Sequence, residues 1–189
     1  ALAAVEAEGS WWLVNAGGKL LEKGERPFAD GYPKVRGFSP QAPAVGSRMT
    51  ASLEEQTRLE GIKGLLTALA ERGMEANVRE FIDLSSNNVI RFDYGGDLTV
   101  VVPASGDFSR RIFSLQRVLE TFAQRGERVT GTLDLTYGED EARLLTERWL
   151  PEDYLPPLET DGPVAPQMPE PTLDPAGDLP APEMPSIAG

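Results

Sequence analysis

An α+β fold, an antiparallel sheet with two helices packed on it in the order ββ-α-βββ-α-ββ, is predicted by three features of this 189-residue chain. Two stretches, 51–72 and 107–124, carry apolar residues at helical spacing. The segments before, between and after them break into short β-prone runs, separated by turns rich in Gly, Asn and Asp. Most of those turns are only a few residues long, which suits antiparallel neighbours, so the helices must lie on the sheet.

The first strand pair is Trp11-Trp12-Leu13-Val14 and Lys19-Leu20-Leu21, joined by the turn Asn15-Ala16-Gly17-Gly18. Adjacent tryptophans on a strand point to opposite faces, so both faces of this hairpin need cover. Residues 22–50 are punctuated by Gly24, Pro27, Gly31, Pro33, Gly37, Pro40, Pro43 and Gly46 and read as a long irregular connection. The helix over 51–72 takes Ser52 as N-cap and Glu55 as its capping-box partner. Leu59, Ile62, Leu66 and Leu69, widened by Leu65, form its apolar stripe, and Gly73 ends it. Strands at 78–84, 89–94 and 98–102 make a meander through Ser85-Ser86-Asn87-Asn88 and Gly95-Gly96-Asp97. In its middle strand Ile90, Phe92 and Tyr94 face one side, Arg91 and Asp93 the other. Phe108, Ile112, Leu115, Leu119 and Phe122 build the second helix, stopped by Gly126. Residues 129–137 alternate as a strand, Gly138-Glu139-Asp140 turns the chain, and 141–150 is read as a final strand by position, although its propensity also allows a helix.

Composition narrows the chemistry. The formal charge is −12, and the chain has neither Cys nor His. That excludes disulfides, thiolate or imidazole metal sites, haem and iron–sulfur ligation, and every Ser-His or Cys-His catalytic arrangement. An acidic chain is also poorly suited to duplex DNA, which demands a surplus of Lys and Arg. No cofactor, catalytic group or metal ligand is expected. The acidity is concentrated after residue 150, where 151–189 holds eight carboxylates, no Lys or Arg, and 11 of the 16 prolines. Such a segment buries too little apolar surface to offset its ordering entropy, so a disordered polyproline-II tail is expected, at about 3.1 Å per residue. It reads as a plain tether or, less simply, a proline-motif ligand. The remaining body is long enough to fold without staples. The most apolar run, Leu98-Thr99-Val100-Val101-Val102, is far shorter than the roughly 20 residues of a membrane-spanning helix. The chain opens at Ala1, without Met, in what reads as a strand, so a piece of a longer protein is expected.

Few residues suggest a site. The glycine clusters lack phosphate-loop spacing and read as turns. Asp83, Asp93 and Asp134, all on expected strands, are the candidates for acid–base work, though solvent-face charges on a half-buried sheet are the simpler reading. Arg110-Arg111 sits at the wrong end of a helix dipole, which hints at a charge pair or partner contact beside the plainer reading of a solvated face. The last strand is more telling. Its outer side is a sheet edge, and free backbone groups there invite another strand. Arg143, Glu147 and Arg148 either guard that edge or select a partner by charge, while Trp149 is the kind of aromatic that anchors interfaces. Alternatively Leu144 and Trp149 only close the core.

The order and spacing of these elements resemble one family. Its pattern is carried by Trp11-Trp12-Leu13-Val14-Asn15-Ala16-Gly17-Gly18-Lys19-Leu20-Leu21, the Tyr32-Pro33-Lys34-Val35-Arg36-Gly37 connection, a helix, and the meander with its Gly-Gly-Asp turn. The helix 108–122 and Gly131-Thr132-Leu133-Asp134-Leu135-Thr136-Tyr137 complete it. Over roughly 1–150 the chain resembles the extracytoplasmic β-domain of the bacterial cell-division proteins FtsQ/DivIB, of the Gram-positive type. Pro103 and Arg110/Arg111 stand where the family often has Gly and Lys. The resemblance implies a single-pass membrane protein at the division septum, its anchor upstream, with residues 1–10 ending a POTRA domain, 11–150 forming the β-domain and 151–189 the tail. It implies a non-enzymatic scaffold that binds FtsL and DivIC (FtsB)-type partners and helps control septal peptidoglycan synthesis. The partner adds a strand beside the family's last strand, which here makes Arg143, Leu144, Leu145, Thr146, Glu147, Arg148 and Trp149 the expected contact residues. Two rival readings remain beside it. One is a secreted or lipoprotein-like module that binds a cell-wall component in a groove lined by the Trp pair and the Pro/Gly loop. The other is a carbohydrate or cell-wall enzyme with paired carboxylates.

Overall fold

The apolar stripes of both long helices find one face of one sheet. The computed structural model describes residues 1–138 and 141–154; Glu139 and Asp140 of the expected acidic turn, and the expected tail from residue 155 onward, lie outside the described residues. Nine strands form the sheet: β1 (Ala3–Ala7), β2 (Ser10–Val14), β3 (Leu20–Gly24), β4 (Lys34–Arg36), β5 (Phe81–Asp83), β6 (Val89–Tyr94), β7 (Leu98–Pro103), β8 (Gly131–Asp134) and β9 (Arg143–Leu145). Their order is β3-β2-β1-β4-β5-β6-β7-β8-β9. The helices are α1 (Arg26–Ala29), α2 (Gln56–Glu71) and α3 (Phe108–Gln124).

One sheet carrying two long helices is the α+β arrangement the sequence predicts. The sheet is mixed, however. β1·β4, β4·β5 and β7·β8 are parallel and the other five junctions antiparallel. Two of the three parallel junctions, β4·β5 and β7·β8, have a direct covalent cause. α2 connects β4 to β5 and α3 connects β7 to β8, and a helical crossover returns the chain to the same end of the sheet. Both helices consequently cover the same face.

On that first face Leu59, Ile62, Leu65, Leu66 and Leu69 of α2, with Ile112 and Leu115 of α3, pack over Val5, Ile82, Ile90, Phe92, Val100 and Leu133. Asp107 caps α3 by accepting from the Arg110 amide at 3.0 Å. Ser52 makes no cap bond, and a 3-10 turn at Leu53–Glu55 leads into α2 instead. Trp12 joins this core and donates from Nε1 to Ala7 O at 3.2 Å, whereas Trp11 packs on the opposite face with Phe28 and Tyr32 around Ala4, Leu13 and Ala29. The tryptophan pair therefore straddles the sheet, as its alternation requires.

Three elements depart from expectation. Residues Ala3–Ala7, expected to end a preceding domain, are an inner strand between β2 and β4, and Ala1–Tyr154 is one compact unit. The connection 22–50 contains α1 and β4, the latter inserted between β1 and β5. Residues Pro151 to Tyr154, expected as the start of the tail, belong to the body, with Pro151 buried and a 3-10 turn at Glu152–Tyr154.

Candidate functional site

β9 is the last strand of the sheet, and among the described residues no strand pairs with its outer side. Its inner side pairs with β8 in the register Thr132↔Leu145, Leu133↔Leu144 and Asp134↔Arg143. Three residues make a weak strand, and here they leave apolar surface open: Leu144 is 40% exposed and Leu145 54%. Tyr137 is also exposed, with the Arg143 guanidinium of β9 3.7 Å from its ring centroid. The other edge, β3, is treated differently. Leu20 donates to Ser47 O and accepts from the Gly46 amide, both at 2.8 Å, so a loop occupies its outer side where the strand begins. Glu22 and Lys23 on the rest of that edge are exposed charges of the kind that discourage pairing.

After Leu145 the chain does not continue as a strand. It bends at Thr146 and Glu147 and runs back across the second face of the sheet as an irregular strap, 146–154. Two buried threonines, direct cross-strand partners on β7 and β8, hold it. Thr132 Oγ1 donates to Glu147 O at 2.8 Å and accepts from the Trp149 amide at 2.7 Å; Thr99 Oγ1 donates to Trp149 O at 2.6 Å. The Arg148 guanidinium reaches the Gly96 carbonyl (2.6 Å), Asp93 Oδ1 (2.6 Å) and Glu80 Oε2 (3.2 Å). Trp149 meets Phe81 edge-on at 5.9 Å, with the Arg91 guanidinium 4.6 Å over its ring. Tyr154 lies 5.4 Å from Phe81, and its hydroxyl donates to Glu80 O at 3.2 Å.

The electrostatics arise from this cover. Asp93 is fully buried, and burial, reinforced by the charge of Glu80, pushes its carboxyl above the ordinary range. Arg148 and the Glu80 and Arg79 amides pull in the opposite direction. Asp153 is the converse case. The Arg36 guanidinium bonded to it holds its carboxyl below the usual range. Burial raises the Tyr94 and Tyr154 hydroxyls.

Of the seven expected contact residues, the structure puts Arg143, Leu144 and Leu145 on the edge and Thr146 and Glu147 in the exposed bend beside it. Arg148 and Trp149 are turned away onto the second face, which the expectation of one continuous strand did not anticipate. Asp83, Asp93 and Asp134 share that face, but it is covered rather than open to solvent. Asp83 pairs with Arg91 and accepts from Ser85, while Asp134 accepts from the Thr136 amide and hydroxyl. Arg111 donates to the Leu135 and Gly138 carbonyls, tying α3 to the end of β8. A groove of about 970 Å³ lies between α1 and the strap, lined by Trp11, Arg26, Lys34, Arg36 and Tyr154 and by the loop residues Gly37 and Ser39. Trp12, the other half of the expected aromatic groove, is in the core. The sequence carries a faint sign of the strap: Pro151 interrupts any strand just after Trp149, and an aromatic, Tyr154, comes soon after it.

No helix among the described residues is long and apolar enough to cross a membrane. No family model, curated protein or solved structure matches the chain.

Proposed function

We propose that this chain is a non-catalytic docking domain of the bacterial division machinery, receiving an extended segment of an FtsL- or DivIC (FtsB)-type membrane protein as a tenth strand beside β9. One observation carries the reading. β9 offers an unpaired outer side flanked by exposed Leu144, Leu145 and Tyr137, while the opposite edge is partly occupied by its own loop. Strand addition uses main-chain hydrogen bonds for affinity and alternate side chains for selection, and the two leucines, on opposite faces of β9, offer both faces of an incoming strand apolar contact. In this reading the anchor lies in sequence upstream of Ala1, and the domain works outside the cytoplasm, at the septum, where it helps control peptidoglycan synthesis.

The test is a calorimetric titration with the ectodomains of the FtsL- and DivIC-type proteins encoded in the same genome. Gly131 and Leu135 donate to β7, so Thr132 and Asp134 turn their backbone groups to Leu145 and Arg143, and Leu144→Pro removes the donor of β9 that faces outward. Binding should fall by about tenfold or more, one or two main-chain bonds' worth, with the melting transition little changed. Wild-type affinity in this variant would refute the location, and no binding by the unaltered chain would refute the partner class.

A second reading, a module for a cell-wall component, is favoured by the groove beside Trp11 and Tyr154. Trp11→Ala should then abolish retention on purified cell-wall sacculi. Under the docking reading it leaves retention and partner binding unchanged.

A further inference from the structure

We infer that residues 146–154 are a strap that positions β9 from the opposite face of the sheet, with Arg148 anchored on buried Asp93 as the positioning residue of the docking edge. The consequence for partner affinity rests on the function proposed above; the mechanical part does not.

β9 has little to hold it. Three residues pair on one side only, all three side chains are exposed, and a strand of that length adds few ladder bonds. The strap beyond it is tied down far more strongly. Within four residues of Leu145 the strap makes three hydrogen bonds to Thr99 and Thr132 and three from one guanidinium, and all but the Glu80 contact are at 2.8 Å or less. The anchor points are spread over the sheet. Thr132 is on β8, Thr99 on β7, Asp93 on β6, and Gly96 in the turn joining β6 to β7. The strap thus reads the positions of three strands at once, and Arg148 does its share through a planar fork for which a lysine ammonium has no equivalent geometry. Gly131 shows how close the tolerance is. A β-carbon there would lie 2.1 Å from Leu145 O and 3.0 Å from Thr146 O, so the junction of β9 and the strap is seated directly against β8.

A buried ion pair is a poor device for stability, since neutral groups of similar volume often do as well, but a good one for fixing a single arrangement. That difference separates positioning from mere support. In the double variant Asp93→Asn/Arg148→Met no uncompensated charge stays buried at Asp93, so the melting temperature should return close to that of the wild type. The fork to Gly96, Asp93 and Glu80 is still lost. Amides of Arg143 and Leu145, and those of Thr132 and Asp134 that pair with them, should then exchange roughly tenfold or more faster than in the wild type, while core amides of β6 and β7 keep their protection. Arg148→Lys should show the same selective loss.

Hydrogen exchange measured by mass spectrometry, with the calorimetric titration on the same samples, decides the matter. Selective loss at β9 with a restored melting temperature, together with at least tenfold weaker partner binding, supports the inference in full. Selective loss in a chain whose unaltered form binds no partner supports the strap and overturns the docking reading alone. Unchanged exchange at β9 in both variants, or loss spread evenly over the sheet, overturns the inference whatever the partner does.

Discussion

Gly131→Ala is the substitution that most directly separates the edge from the body behind it. Gly131 sits at φ +101°, a conformation that costs a side-chain-bearing residue about 1–3 kcal/mol. The added methyl would also lie 2.1 Å from Leu145 O, where such atoms essentially never approach closer than 3.0 Å. β9 must therefore retreat by about 1 Å, enough to break its hydrogen bonds to β8. Those bonds are worth roughly 1 kcal/mol each net, and releasing three residues returns about 1 kcal/mol or more of backbone entropy per residue. Detaching β9 is therefore the cheapest way to accommodate the methyl, and the core of the sheet need not detach with it. The expected result is a global loss of about 1–3 kcal/mol, or a drop of a few degrees per kcal/mol in melting temperature, with amide protection at Arg143 and Leu145 gone. Gly126→Ala is the control, because Gly126 also has a positive φ (+70°) but nothing within 4 Å of its β-carbon position. It should cost about 1 kcal/mol and leave β9 protected. If Gly131→Ala behaves like the control, the close approach of β9 to β8 is wrong. If instead it unfolds the whole body cooperatively, β9 is not a separable element and the edge does not open on its own.

Trp149→Ala removes a half-buried ring from Phe81 and from beneath Arg91, so chemical denaturation should show a loss of about 2–3 kcal/mol; a change under about 0.5 kcal/mol would mean the strap does not pack. Asp93 and Asp153 should give stability–pH profiles of opposite sign. The raised Asp93 carboxyl contributes stability that is fully present below its ordinary value of 3.8 and is lost as pH rises through its elevated value. The stability of the wild type relative to Asp93→Asn should therefore increase as pH falls from 7 towards 4 (about 4 being the ordinary carboxylate value). The lowered Asp153 carboxyl contributes stability present above 3.8 and lost as pH falls further, so the wild type relative to Asp153→Asn should move the other way. Thermal melts carried from pH 7 to below 3.8 check both, and a flat difference for Asp93 would show that it titrates as an exposed residue.

The parts of this fold that were legible in its sequence are those whose pattern specifies a partner surface. Leu59, Ile62, Leu66 and Leu69 at alternating three- and four-residue steps can only mean one buried helix face, and Ile112, Leu115 and Phe122 behave alike. The β6–β7 hairpin is legible for the same reason, since Ile90 and Phe92 alternate against Arg91 and Asp93 and the Gly95-Gly96 turn fixes the register to Tyr94↔Leu98. β4 carries no such message. It has one apolar residue, Val35, between Lys34 and Arg36, and it is a strand because β1 and β5 lie at the right spacing to take its backbone bonds. Once β4 is recognised, two of the three parallel junctions are accounted for, because it lies beside β1 and is joined by α2 to β5.

The candidate site divides along the same line. An edge could be read from position alone, because the last strand of a meander-like sheet has only one neighbour. The side from which Arg148 acts could not. In an uninterrupted strand, Arg148 and Trp149 would continue the edge and face a partner; a bend at Thr146–Glu147 sends both onto the second face, where they meet Asp93, Thr99 and Thr132. Those three residues are ordinary polar alternations when read strand by strand, and they acquire meaning only as a row, since Thr99 pairs with both Asp93 and Thr132 across the sheet. A polar row on a face that must be covered demands a polar, hydrogen-bonding cover, because each of its groups would otherwise be buried without a partner. The strap supplies it with backbone amide and carbonyl groups and one guanidinium. The charge on Arg148 is therefore better understood as directed inward, at the sheet, and under the proposed docking function the selection of an incoming strand falls to Arg143, Leu144 and Leu145.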